Sequence, residues 1–342
     1  MHSSCAKRRR PLSCRPTTRR RVTKRNFNSR AEGEERQDVY ERVTARIVAD
    51  LEKGVRPWNQ PWNSGSSEGR FIRPLRHNGM PYSGINVLML WSIALERGYG
   101  SPMWVTFKQA QELSAHVRIG EKGSLVVYAN RLTKTETTEA GEAVDREIPF
   151  LKGYTVFNIE QIEDLPAHYY AKPEPKLANP IQRIDHAEHF FASTGADIRQ
   201  RGGRAFYTPG ADYIQIPPIE AFPNAEEYYS TLAHEATHWT SHPNRLARDF
   251  GRKSWGDEGY AIEELVAELG AAFLCADLEI TPEVREDHAA YISSWLKVLK
   301  GDKRAIFSAA SHAQRAADYL HNLQQAGSDP TNEPLDTPKV VP

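Results

Sequence analysis

The stretch Tyr228-Tyr229-Ser230-Thr231-Leu232-Ala233-His234-Glu235-Ala236-Thr237-His238 decides the reading of the second half of the chain. The spacing predicts a helix over Ala225 to Ser241, with Tyr228, Tyr229, Leu232 and Ala233 as its apolar face. Histidines at i and i+4 stand one above the other on one helix face, so both rings can reach a single ion. Two neutral imidazoles, a carboxylate and an open water position make a catalytic rather than a closed structural zinc site. Glu235, inside the H-E-x-x-H, is the expected general base for a water acidified by that ion. These residues point to metal-assisted hydrolysis of a protein substrate whose identity the motif does not carry.

A third ligand has to come from further along. A histidine ten residues after His234 would mark one large class of zinc peptidases, but that position is Asn244. The next helix, expected over Glu258 to Asp277, has an apolar stripe of Ile262, Leu265, Val266, Leu269 and Phe273 and carries Glu263, Glu264 and Glu268. Glu264 and Glu268 share a face, which assigns Glu264 as ligand and Glu268 as the carboxylate that orients a ligating histidine. Glu263 is the rival for the ligand role. Further helices are expected over Ile184 to Ser193, Pro282 to Leu299 and Lys303 to Gln325. Asp212 to Ile216 alternates like an edge strand, suited to pairing with an extended peptide.

The first half reads differently. A helix is expected from Asp38 to Gly54, a second over Ile85 to Arg97 and a short one over Thr106 to Leu113. Strands are expected at Ser124 to Tyr128 and Phe150 to Phe157, with Thr133 to Arg146 as a polar hairpin loop. The fold class is α+β, a mixed N-terminal domain followed by a mainly helical one. The expected divisions are a basic disordered tail over 1–36, a first domain over 37–165, a Pro-rich linker over 166–180, a second domain over 181–325 and a disordered tail over 326–342.

The chain has 342 residues, with 44 Lys+Arg balanced by 44 Asp+Glu. That zero is a cancellation. Residues 1–30 hold eleven Lys or Arg and no acid, residues 51–134 eleven basic and five acidic, and residues from 171 onward 17 basic and 25 acidic. Such asymmetry fits nucleic-acid contact by the first half. There, aromatic residues alternate with cations, the composition that single strands require for stacking and phosphate neutralisation. Trp58, Trp62, Arg73, Arg76, Tyr82, Trp104, Lys108 and Lys122 are the candidate DNA contacts. No apolar run approaches the ~20 residues of a membrane span, and no secretory signal is expected. Two of the three cysteines, Cys5 and Cys14, lie in the basic tail, so a disulfide framework is excluded and a cytoplasmic setting is expected.

Several runs go beyond composition. Pro57-Trp58-Asn59-Gln60-Pro61-Trp62, Asn78 to Asn86, Trp104 to Ala110, Gly120-Glu121-Lys122-Gly123 and Tyr154-Thr155-Val156-Phe157-Asn158 resemble, in order, the ArdC-type antirestriction proteins of conjugative plasmids. A similar first domain occurs in plasmid primases of the TraC type. The resemblance spans about residues 37–325. It implies a first domain that binds single-stranded DNA and a zincin-like metallopeptidase domain in which His234, Glu235, His238 and Glu264 match the family motif. It also implies Zn2+ as cofactor and protection of DNA entering a recipient cell as a single strand. The alternatives are a DNA-binding protector with a structural or inactive zinc site, and a primase accessory factor.

Overall fold

The computed structural model describes residues 38–58, 72–137, 143–170, 180–251, 257–281 and 289–326. Trp62, most of the linker and the residues 1–36 and 327–342 of the two tails lie outside them.

Helix α1 (Val39–Glu52) starts where the Asp38 side chain accepts from the Glu41 amide, and it buries Val43, Thr44, Ile47 and Leu51. Strand β1 (Leu75–Arg76) leads to α2 (Ile85–Arg97), β2 (Met103–Thr106), α3 (Phe107–Glu112), β3 (His116–Val117), β4 (Ser124–Thr137), β5 (Ala143–Asn158) and β6 (Ile162–Glu163). Helix α3 is closed by a capping box between Thr106 and Gln109. The main sheet has the order β1-β2-β5-β4, with β1 parallel to β2 and the other pairs antiparallel. Asn86 on α2 ties helix to sheet: its amide nitrogen donates to the Val127 carbonyl at 2.8 Å and its oxygen accepts from the Val127 amide at 2.7 Å. The expected hairpin loop is shorter than the polar sequence suggested. β4 and β5 pair as far as Thr137 opposite Ala143, because backbone pairing continues regardless of side-chain polarity.

The second half contains α4 (Ala167–Tyr170), α5 (Pro180–Ala192), β7 (Asp197–Gln200), β8 (Phe206–Thr208), β9 (Tyr213–Ile216), α6 (Ala225–Trp239), α7 (Glu258–Asp277), α8 (Ala289–Gly301) and α9 (Ala305–Ala326). The Asp212 to Ile216 strand is not at an edge. β9 runs between β7 and β8, so its backbone groups on both sides are engaged and β8 borders the sheet.

The described residues form one compact unit, and one core of buried side chains runs through both halves of it. Trp91 of α2 packs on Phe273 of α7 with ring centroids 6.1 Å apart, and Trp58 meets Trp295 of α8 edge-on at 6.3 Å. This packing corrects half of the candidate DNA contacts. Trp58, Tyr82 and Trp104 are fully buried core residues on which no base can stack. Arg73 is buried too: its Nε and Nη2 grip the two Asp277 oxygens at 2.6 and 2.7 Å, Nη1 donates to Gln314 at 2.7 Å, and the guanidinium lies over the Phe273 ring. Aromatic residues are the largest apolar side chains available, and here they fill the core. Arg76, Lys108 and Lys122 are exposed.

Candidate metal centre

Asn224 caps α6 by accepting from the Glu227 amide at 2.8 Å, and the helix then runs unbroken through the H-E-x-x-H. One turn apart, the His234 and His238 rings lie 4.9 Å centroid to centroid. Facing them is α7, capped by the Asp257 side chain on the Tyr260 amide. The two helices touch closely because Gly270 of α7 has no side chain. A Cβ there would stand 2.5 Å from Cγ2 and 2.7 Å from Oγ1 of Thr237, the fourth residue of the motif.

At this spacing both histidines aim Nε2 at one carboxylate. His234 Nε2 is 3.6 Å from one Glu264 oxygen and His238 Nε2 is 3.5 Å from the other. One ligating atom from each of His234, His238 and Glu264 lies within 4.8 Å of the others. In a tetrahedral site with bonds of about 2.1 Å, ligand atoms stand about 3.4 Å apart, so the three fit a divalent ion with little movement. The Nδ1 atoms face outward to further carboxylates. His238 Nδ1 is 3.0 Å from Glu263 Oε1, and His234 Nδ1 is 3.6 Å from Glu268 Oε2. Glu268 thus lies on the Nδ1 side of His234. Glu263 sits behind His238 rather than among the three converging donors.

Glu263 has a second partner that the sequence reading missed. Arg248, whose side chain is 1% exposed, donates from Nε and Nη2 to the two Glu263 oxygens at 2.8 and 2.7 Å. Nη2 also reaches the Thr237 carbonyl at 2.9 Å, and Nη1 the Thr240 hydroxyl at 3.0 Å. One arginine thus clamps the end of α6 to α7. No local pattern marks Arg248, which lies in the loop between the two helices.

Charge in the site supports a cation. Burial favours neutral forms, yet the Glu264 and Glu263 carboxylates override it and push His238 up to about 10. Burial also acts against charge on His234, but Glu264 and Glu268 raise it. Glu264 in turn is held far below the usual carboxylate range by the two imidazoles, against its burial. Glu235 is buried beside His234. Around the imidazole pair stand four carboxylates, Glu235, Glu263, Glu264 and Glu268, against the guanidinium groups of Arg248 and Arg56. The excess of two negative charges is balanced by the two imidazoles when they are protonated, and a divalent cation on neutral imidazoles would balance it in their place. Tyr260 of α7 completes the wall, its hydroxyl 3.1 Å from that of Tyr291.

Both halves of the chain match known families. Residues 185–312 match the family described as zincin-like metallopeptidase, and residues 37–157 match the N-terminal domain of anti-restriction factor ArdC. The crystal structure of antirestriction ArdC protein from the R388 plasmid, in its metal-free form, is 48% identical, with a TM-score of 0.71 over 84% of this chain and 98% of that one. The chain belongs to the ArdC antirestriction family. The Mn(II)-bound structure of the same ArdC is 47% identical, with a TM-score of 0.67 over the same shares. The protein y4eC of Sinorhizobium fredii (strain NBRC 101917 / NGR234) is 41% identical over 84% of this chain and 92% of its own length. DNA primase TraC of Escherichia coli is 37% identical over 85% of this chain, which spans 28% of that primase. No helix among the described residues is long and apolar enough to cross a membrane.

The ArdC-type half also presents an aromatic and cationic surface. Tyr128 on β4 is 51% exposed and pairs on the same sheet face with exposed Lys152 on β5. Half-buried Tyr154 follows on that face, and exposed Arg76 lies over the buried Tyr82 ring at 5.3 Å.

Proposed function

We propose that this ArdC-family chain protects entering DNA by binding single strands through its first half and hydrolysing a protein substrate at a metal centre in its second. Its ligands are His234 Nε2, His238 Nε2 and Glu264, and the ion is Zn2+. The observation that carries this reading is the convergence of both Nε2 atoms on Glu264, each imidazole backed at Nδ1 by another carboxylate. When bound, the ion supplies Lewis acidity to a water and to the scissile carbonyl. Glu235, buried on the turn between the histidines, takes the proton of the attacking water and returns it to the leaving nitrogen. Glu263 and Glu268 keep the Nδ1 protons in place, so that Nε2 presents its lone pair. The Mn(II)-bound relative supports a divalent ion, and the TraC relationship supports contact with DNA. For the DNA surface, Tyr128 offers a stacking face, while Arg76, Lys108, Lys122 and Lys152 neutralise phosphates.

The test delivers a plasmid by conjugation into a restricting recipient that makes the wild-type protein, Glu235→Gln or neither. Metal content and single-strand binding are measured on the same purified proteins. The expected result is protection by the wild type and loss of protection in Glu235→Gln, with metal and DNA binding unchanged. Equal protection by Glu235→Gln would contradict a hydrolytic role.

A further inference from the structure

We infer that Arg56, a residue of the ArdC-type N-terminal segment, is a positioning residue of the metal centre, acting on His234 through Glu268. The inference rests on the metal-centre reading above. Arg56 lies within the 37–157 match and outside the 185–312 metallopeptidase match, just after α1. It is nonetheless buried at 8% exposure, with Nη1 3.5 Å from Glu268 Oε1. The other oxygen of that carboxylate is the one 3.6 Å from His234 Nδ1. Glu268 therefore bridges an arginine from the first half of the chain and an imidazole from the second.

A carboxylate at 5% exposure is costly to keep ionised without a cation, and a cation on one oxygen also fixes which oxygen faces the imidazole. Arg56 supplies both. Its own position is fixed by the corner that follows. Trp58 is fully buried and meets Trp295 edge-on, Trp295 stacks with Tyr291 at 6.2 Å, and Tyr291 reaches Tyr260 on α7. The same corner of the chain thus approaches the ligand helix by an ionic path to Glu268 and an aromatic path to Tyr260. A metallopeptidase segment without this corner would have Glu268 without the Arg56 guanidinium beside it.

The test titrates Zn2+ into the full-length protein against a chromophoric chelator. The variants are Arg56→Gln, Arg56→Lys, Glu268→Gln, the double variant Arg56→Gln/Glu268→Gln, and Arg73→Gln. Arg73→Gln breaks the Asp277 ion pair between the same two halves, at the far end of α7. Arg56→Gln should weaken zinc affinity about tenfold, Arg56→Lys about two- to threefold, and the double variant no more than Glu268→Gln alone. Arg73→Gln should unfold at lower denaturant with unchanged zinc affinity. Wild-type affinity in Arg56→Gln, full additivity in the double variant, or an equal affinity loss in Arg73→Gln would overturn the inference. If Arg56→Gln does not fold, wild-type affinity in Arg56→Lys overturns it equally. A wild-type protein that binds no zinc would instead overturn the metal-centre reading, and this inference with it.

Discussion

Replacing Gly270 by alanine tests whether the spacing of α6 and α7 sets the metal centre. The new Cβ would lie 2.5 Å from Thr237 Cγ2, 2.7 Å from Oγ1 and 3.1 Å from Cβ. Carbon contacts settle at about 3.5–4.0 Å, so the helices must part by roughly 1 Å. Thr237 cannot yield easily, being fully buried with its hydroxyl donating to the Ala233 carbonyl at 2.8 Å. Alanine gains about 1 kcal/mol of helix propensity over glycine, while overpacking costs about 1–3 kcal/mol. The crowding should win, for a net loss of up to about 2 kcal/mol. The same displacement would carry Glu264 from 3.5 and 3.6 Å of the two Nε2 atoms to roughly 4.5 Å, beyond the ~3.4 Å edge of a tetrahedral site. Urea unfolding and competitive zinc titration should therefore both report losses, with affinity down about tenfold, equivalent to about 1.4 kcal/mol. Thr237→Ala in the same molecule removes the obstacle and should restore both. A Gly270→Ala protein at least as stable as the wild type, with unchanged zinc affinity, would refute the reasoning.

Other consequences follow from the same geometry. Glu263→Gln removes the charge that Arg248 grips. It should cost about 3–5 kcal/mol in urea unfolding and weaken zinc binding about 10- to 100-fold, and a neutral outcome would remove Glu263 from behind His238. His312 is held down to about 4 by burial, Arg315 and Arg248, against about 6.5 in an unfolded chain. Below pH 6.5 the unfolded chain therefore takes up the proton first, so His312 contributes stability in full above that pH and loses it down to about 4. The urea midpoint should fall between pH 7 and pH 5, less so in His312→Asn; equal slopes would contradict this. Tyr128→Ala should weaken single-strand binding by about 1–3 kcal/mol while leaving stability alone. Trp104→Ala should instead cost about 3–5 kcal/mol of folding stability. A reversal of these two effects would return Trp104 to the DNA surface.

The elements that could be read from sequence are those whose signals are local and periodic. α7 begins and ends at the expected residues, Glu258 and Asp277, because its twenty residues carry a continuous apolar stripe and a capping Asp257. The i, i+4 spacing likewise sets His234 and His238 on one face of α6 and Glu264 and Glu268 on one face of α7, which helix geometry orders by itself, whereas the meeting of those two faces is tertiary packing. What escaped depends on partners far away in the chain. Whether Trp58, Tyr82 and Trp104 face solvent is decided by helices that arrive much later in the sequence, and alternation with cations does not report it. Strand β9 reads as an edge from its own alternation, but β7 and β8 both pair with it. Arg248 and Arg56 carry no motif and gain meaning only when tertiary packing lays them on Glu263 and Glu268.

The most direct test of the account is anomalous diffraction at the zinc edge from crystals of the full-length protein grown with Zn2+. The account predicts one strong peak bonded to His234 Nε2, His238 Nε2 and a Glu264 oxygen, with Glu263 and Glu268 on the Nδ1 sides. A peak bonded to Glu263 in place of Glu264, or no peak between α6 and α7, would contradict it.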